Sequence, residues 1–504
     1  MNSIDKVLFI PLDSRPCCSS FVQRLADFRG IQLCMPPMEM LGNLECRGNS
    51  EQLWDWLKGY DDDIPAILSV DMLLWGGLVG SRRPADVDEE ARRNLMSNMR
   101  DLCTRRCVYA FNTIMRVAPT QKTVSDTNEA ELLVKASKLL CSYFDSIDEM
   151  KEGFASNHAQ QYLSSQGINI SCLVWRDYLK QRQQKHIANM ELLKAWSKSL
   201  KEAYLLFGYD DCQTKGFNYL ETNSFSDAVA ASDNIGITTG ADELAQLLLA
   251  RYATSGQTIG VVWDDPSTKE IITRYEDCTL EELLGRQAKV TQTSLCSDPE
   301  AGNCQKLLFV WGPKGEVQEE SFVQRGGHRR YSLDGYNDFL DKMAEAMERG
   351  CRVVLADVAY ANGGDSALLM HLLERRLLWR LSGYAAWNTA GNTLGTALST
   401  LLMLGDMDDR ISVQANKRFL LERLLDDGVY ESVIRPQFVK AVGGSFRILS
   451  ERETEVMQRR IKDKLWYMLN MCLERVPFSF KVKDISIRLP WRRLFEADIR
   501  VDIE

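Results

Sequence analysis

Ten short apolar runs, each followed by a longer helical or polar stretch, constrain this chain more than any other feature. They fall at 6–12, 64–70, 108–114, 170–175, 203–209, 235–239, 258–263, 307–311, 352–357 and 384–387. Each is nearly continuously apolar, as a strand buried on both faces is. Helical periodicity occupies the intervals 129–143, 186–204, 241–252, 336–349 and 366–381. Strands alternating with helices specify a parallel α/β sheet. The expected architecture is a TIM-like (β/α)8 barrel with insertions, over residues 1–415. Ten runs exceed the eight of a closed barrel, so 170–175 and 258–263 are expected to be extras. An open, doubly wound parallel sheet is the alternative. Beyond 416 the chain turns charged and helical, broken at Gly443-Gly444, and ends in short strands. Residues 416–504 are therefore expected to form a small helical and β appendage.

Polar residues collect where these runs end. The first leads into Asp13 and Arg15, and the second into Asp71, Gly76-Gly77 and Arg82. The third leads to Arg116, the run at 203–209 to Asp210-Asp211, and the next to Asp242 and Glu243. The run at 352–357 leads through Asp357 to Tyr360, Asn362 and Asp365; the last leads through Trp387 to Asn388 and Asn392. Parallel α/β folds bind ligands at the carboxyl ends of their strands. Each cluster also has a plainer reading. Asp242 and Asp365 immediately precede helices, where aspartate commonly caps. The paired glycines suit ordinary turns. No phosphate-binding loop or dinucleotide fingerprint is present.

Asp210-Asp211 is the hardest feature to explain by packing. Two adjacent carboxylates end a run that should be buried, and burial of like charges raises one pKa. A raised carboxyl pKa suits a general acid working near neutrality. Strict strand alternation sends the two side chains to opposite faces. Both reach one pocket only where the backbone leaves strand geometry. Aromatic residues near the same ends, Trp387 and Tyr360 among them, suit the apolar faces of sugar rings as well as core packing.

The chain holds four histidines against 70 carboxylates, with a net charge of −9. So few histidines disfavour a histidine triad or a zinc site. The acidic balance argues against nucleic acid as a partner. The 14 cysteines follow no repeating spacing; they read as free thiols in a reducing, cytoplasmic setting. No apolar run reaches the ~18 residues that cross a bilayer, and no signal-peptide pattern opens the sequence. No membrane partner, metal or cofactor is expected.

The strings 9–16 (FIPLDSRP), 71–79 (DMLLWGGLV) with Ser81-Arg82, 356–365 (ADVAYANGGD) and 387–395 (WNTAGNTLG) resemble a bacterial family defined only as a domain of unknown function, number 4127. That resemblance covers nearly the whole chain and implies no activity. Two shorter elements resemble glycoside hydrolases of the O-GlcNAcase type, which are (β/α)8 barrels. Asp210-Asp211 matches their adjacent pair at the end of the fourth barrel strand, and Trp387-Asn388 with Asn392 matches a later element. The resemblance implies that Asp210 orients a substrate 2-acetamido group, while Asp211 serves as general acid and then base.

The expected function is thus a glycosidase-type hydrolase acting on a small carbohydrate, with N-acetyl amino-sugar glycosides among the candidates. Asp210 and Asp211 would be catalytic in a substrate-assisted mechanism. Alternatively Asp211 would work with Glu243 or Asp357 in a two-carboxylate mechanism. Asp13, Arg15, Asp71, Arg82, Arg116, Glu243, Asp357, Tyr360, Asn362, Asp365, Trp387, Asn388 and Asn392 would bind substrate. The competing expectations are a Mg²⁺- or Mn²⁺-dependent hydrolase or isomerase held by Asp13, Asp71, Asp357 and Asp365, and a carbohydrate-binding protein without catalysis.

Overall fold

The computed structural model of the chain describes residues 5–83, 89–119, 124–141, 157–196, 203–209, 211, 215–296, 304–313, 318–322, 333–406 and 408–504. Strands β1 (Lys6–Ile10), β2 (Gln32–Cys34), β3 (Ala66–Ser69), β4 (Val108–Ile114), β5 (Ala203–Tyr209) and β6 (Ile235–Thr239) form one sheet in the order β2-β1-β3-β4-β5-β6. Its registers are parallel from β1 to β6: Leu8 faces Ala66, Ala66 faces Val108, Val108 faces Ala203 and Leu205 faces Ile235. All seven residues of β5 are buried. That is why its sequence is unbroken by polar side chains.

A second sheet is built from β7 (Thr258–Trp263), β8 (Ser294–Cys296), β9 (Lys306–Trp311), β11 (Arg352–Asp357) and β13 (Gly383–Ala385). Its order is β13-β11-β9-β7-β8, again with parallel registers. The two-residue strands β10 (Glu319–Glu320) and β12 (Tyr360–Ala361) pair separately with each other. In each sheet the second strand lies outside the first and the third lies on the other side. Strand order therefore reverses once in each, at β1/β3 and at β7/β9. This is the 2-1-3-4-5 order of doubly wound sheets, which bind ligands beyond the carboxyl ends of the strands.

The chain divides into two compact units. The first comprises Lys6–Ser14 and Leu33–Ala245; the second comprises Met1–Asp5, Arg15–Gln32 and Gln246–Glu504. Each has its own apolar core. That of the first gathers Leu8, Leu68, Ala110, Leu205 and Phe207; that of the second gathers Leu307, Phe309, Leu355, Leu372 and Leu465.

Among the described residues the strands do not close into an eight-stranded barrel, and the open parallel sheet fits. The described strands make two open sheets, edged by β2 and β6 in one and by β8 and β13 in the other. An apolar run buried on both faces looks the same in a ring and in an open sheet, so the pattern alone does not choose between them. Nine of the ten expected runs are strands, including 258–263, which sits inside the second sheet. The tenth, 170–175, opens the helix Cys172–Trp196 instead. The short edge strands β2 and β8 escaped the sequence pattern because each has only three residues and none of them is buried.

The carboxyl-terminal segment belongs to the second unit. It runs through the helix Arg410–Arg423, a π-helical stretch Leu424–Ile434, and the helices Arg435–Val442 and Glu451–Arg475. Gly443 ends the third of these in a left-handed conformation, and Ser450 opens the last with a capping box. Strands β14 (Val482–Arg488) and β15 (Asp498–Ile503) then pair antiparallel. No helix among the described residues is long and apolar enough to cross a membrane.

Candidate functional site

In the first unit, polar groups gather beyond the ends of β3, β4 and β5, under the helix Cys172–Trp196. Residues four apart lie on one helix face. Gln181, Lys185 and Asn189 form such a row, with Tyr178 and Arg182 beside it, and all five are buried. Gln181 donates to the Ser81 carbonyl at 2.8 Å. Lys185 is ion-paired with Asp71, which also accepts from the Thr113 amide at 3.0 Å and its hydroxyl at 2.5 Å. Asn112 donates to Asn189 at 2.6 Å. Burial pushes the Lys185 ammonium well below its usual pKa. Both oxygens of Asp71 are thus engaged within the chain.

Arg182 reaches Glu221 with two nitrogens, at 2.7 and 3.0 Å. It also donates to the carbonyls of Met115 at 2.7 Å and Arg116 at 3.1 Å. These carbonyls belong to the residues just beyond β4, so the pair pins the end of that strand. Next to it, Arg116 bonds Asp211 at 2.5 Å. Asp211 has φ +44°, a left-handed conformation uncommon outside glycine. Its side chain is 28% exposed. Asp210, the other half of the expected catalytic pair, lies outside the described residues.

The remaining expected residues of this unit are buried. Asp13 follows β1, and a Cβ on Gly77 would lie 3.1 Å from the Leu12 carbonyl and 3.8 Å from the Asp13 Cβ. Gly77 therefore lets the segment after β3 approach the end of β1, while Gly76 is the left-handed cap of the helix Val70–Trp75. Arg82 is buried at the end of Leu78–Ser81. The carboxylate of Glu243 folds back over Gly240, where any Cβ would strike it.

In the second unit, a polar group forms at the ends of the adjacent strands β11 and β13. The Asn362 amide donates to the Asn388 carbonyl at 2.8 Å. Both asparagines are left-handed, at φ +58° and +56°. Asn388 donates to Asn392 at 2.8 Å, and Asn362 to Glu320 at 2.8 Å. Glu320 also accepts from Tyr275 at 3.0 Å and pairs with Arg274 at 3.2 Å. Tyr360 and Trp387 are buried beside these residues in the chain. Strained, polar backbone of this kind tends to gather at functional sites. Arg15 belongs to this unit, where it lies 5.5 Å from the centre of the Trp491 ring. The fourteen described site residues thus divide six to the first unit and eight to the second.

Beneath the asparagines lie Asp357 and Asp365. Asp365 caps the helix Ser366–Glu374 through the amides of Ala367 and Leu368, and its other oxygen accepts from Trp311 at 3.1 Å and Tyr336 at 3.0 Å. The capping reading of Asp365 therefore holds. Asp357 accepts from the Asp365 amide at 2.6 Å, Tyr384 at 3.1 Å and the Ala359 amide at 3.3 Å. Burial, and then the neighbouring Asp365 carboxylate, push its pKa up to about 8.

This shift makes stability pH-dependent. A carboxyl whose folded pKa lies above its unfolded value of 3.8 stabilises at low pH, and that contribution is lost as pH rises towards 8. Asp357→Asn keeps a neutral group, losing only the long bond from Ala359 when its oxygen faces Asp365 and Tyr384. We expect a flatter stability-versus-pH curve between pH 4 and 8 in denaturant titrations, and a variant at least as stable as the parent at pH 8.5. An unchanged slope would show that Asp357 is ionised when folded.

Gly364 packs so closely here that a Cβ would overlap the Tyr384 hydroxyl and lie 2.8 Å from an Asp357 oxygen. Gly364→Ala should destabilise the protein by ~1–3 kcal/mol, as overpacking a filled site does. A melting temperature unchanged from the parent would contradict this packing.

The π-helical stretch adds charges that sequence reading missed. Arg423 bonds Asp427 at 2.7 Å and Asp426 at 2.9 Å, and Glu431 pairs with Arg435. The Ala386 amide, just beyond β13, donates to Asp427 at 2.9 Å. Burial raises the Asp426 pKa to about 7, against the opposing pull of Arg423. The i,i+4 spacing of Arg423/Asp427 and Glu431/Arg435 inside an apolar stretch was the available signal. For Lys185 and Arg182 no local signal stood out, because the helix that carries them is polar along much of its length.

No curated protein and no solved structure matches the chain. A family model does, over residues 7–500. The chain belongs to the family described as "Protein of unknown function (DUF4127)".

Proposed function

We propose that the chain is a glycoside hydrolase acting by carboxylate catalysis on a small, hydroxyl-rich substrate, with an N-acetyl amino-sugar glycoside as the first to test. One observation carries the reading. β5 ends at Tyr209, and Asp211 stands in a left-handed turn with a partly exposed carboxyl. A backbone that leaves strand geometry at Asp211 supports the reading, since two adjacent aspartates need such a break to share a pocket. Arg116 engages one oxygen of Asp211, and no bond from the described residues reaches the other. Asp211 would protonate the leaving oxygen and later activate water; Asp210 would hold the acetamido group. The asparagine-rich group of the second unit suits sugar hydroxyls by its chemistry.

The metal-dependent alternative draws less support. Three of its four aspartates, Asp71, Asp357 and Asp365, spend both oxygens on hydrogen bonds or an ion pair within the chain. The test is hydrolysis of a panel of aryl glycosides, including N-acetylglucosaminide and N-acetylgalactosaminide, with and without a chelator. Turnover that survives chelation is expected. Turnover abolished by chelation and restored by Mg²⁺ or Mn²⁺ would favour the metal reading. Saturable sugar binding without turnover would favour a binding protein.

A further inference from the structure

The amino ends of β9 and β11 lie opposite the strand ends considered so far, and they carry an unbalanced group of cations. Lys306 is the first residue of β9, and Arg352 the first of β11. Arg29, from the segment between the helix Ser20–Asp27 and β2, joins them. All three face the carboxyl end of the buried helix Ala390–Met403. Arg29 donates to the Met403 carbonyl at 3.1 Å and to those of Leu402 and Leu404 at 3.2 Å. Lys306 donates to the Leu402 carbonyl at 3.2 Å and to the Gln257 side chain at 2.7 Å. Arg352 donates to the Gly405 carbonyl at 2.8 Å.

Capping explains only part of this arrangement. A helix carboxyl end carries about half a negative charge, against three cations. Among the described residues, none of the three forms an ion pair with a carboxylate. Asp406 acts on Arg352 at longer range. Lys417, held by the carbonyls of Trp379 at 2.7 Å and Leu381 at 2.9 Å, adds a fourth cation near Arg352. Burial, reinforced by Arg29 and Arg352, lowers the Lys306 pKa to about 8. The group is only half-buried, and Arg29 reaches solvent.

We propose that Arg29, Lys306 and Arg352 form a binding site for a phosphate group at the amino ends of β9 and β11. A dianion balances the positive charge left by the helix end and Asp406, where a carboxylate would balance only part of it. The donors not used on carbonyls, on the Nη1 of Arg29, the Nε and Nη2 of Arg352 and the third hydrogen of the Lys306 ammonium, are directed donors that phosphate oxygens accept. The site is independent of the glycosidase reading, since it lies at the opposite ends of the strands.

The test is calorimetric titration of the full chain with inorganic phosphate at constant ionic strength set by chloride. Saturable binding is expected. Lys306→Met and Arg352→Met should each weaken it by about tenfold, the scale of one charge-assisted hydrogen bond. Glycerol 3-phosphate serves as the monoester arm. Equal binding of both ligands assigns the site to a phosphate group in general, and binding of inorganic phosphate alone assigns it to the free ion. A second measurement does not depend on how well the Met variants fold. Sulfate is fully ionised above pH 4, so its affinity should fall between pH 7 and 9 as Lys306 deprotonates. Lys306→Arg should reduce that fall, leaving only the part due to Lys417, whose pKa burial also lowers to about 8. No saturable binding at millimolar phosphate, or a sulfate profile unchanged in Lys306→Arg, would overturn the proposal.

Discussion

Asp211→Asn should lower turnover of aryl glycosides by about 10²–10⁴-fold, the usual range for loss of a positioned general acid–base. The amide oxygen of asparagine can still accept from Arg116, which bonds the carboxylate at 2.5 Å. The turn at φ +44° also suits asparagine. The substitution therefore removes the proton and little else. The loss should depend on the leaving group. A nitrophenolate departs with little protonation, so its glycoside should lose least. A methyl or sugar leaving group needs the proton and should lose most. Full activity on poor leaving groups would remove Asp211 from the mechanism, whatever happened with activated ones.

Arg182→Met should destabilise the protein by ~3–5 kcal/mol, because it removes the bidentate cation that offsets the buried Glu221 carboxylate. Both side chains are nearly inaccessible, at 2% and 3%. Arg182 also holds the carbonyls of Met115 and Arg116 and lies 5.7 Å from the centre of the Phe217 ring. Its loss frees the end of β4 as well as a charge. In the variant, burial no longer offset by Arg182 raises the Glu221 pKa above its unfolded value. The added stability of the protonated form is present at low pH and lost as pH rises. The deficit relative to the parent should thus be smaller at pH 5 than at pH 8 in urea titrations. Replacing both residues by methionine should recover part of the loss, since no charge is then stranded. A single-variant cost below about 1 kcal/mol would mean that solvent reaches Glu221, contrary to its burial.

These two predictions draw on different kinds of information. Asp211 was visible in the sequence as half of an acidic pair ending an apolar run. Arg182 was not visible as a functional partner, because nothing local links it to Glu221 across 39 residues. The helix that carries it also conceals its pattern. Its buried row is polar, so apolar periodicity does not mark the inward face, and its first residues read as a strand. Likewise, Arg15 stands two residues from Asp13 but belongs to the other unit.

The sequence by itself determined the strands. Runs of seven or fewer apolar residues, separated by helices, have few ways to bury both faces other than in a parallel sheet. It also determined that polar residues gather at strand ends, because each run must stop where burial stops. Only the tertiary structure decided how the strands are shared out. Closure into one ring or division into two reversing sheets depends on which strands pair, and pairing is a long-range choice that identical apolar patterns leave open. The same holds for the charges. A carboxylate looks alike in sequence whether it caps a helix as Asp365 does, meets a lysine as Asp71 does, or stands in a turn as Asp211 does. Except for a local cap such as Asp365, its partner is chosen by residues brought close only when the sheets form.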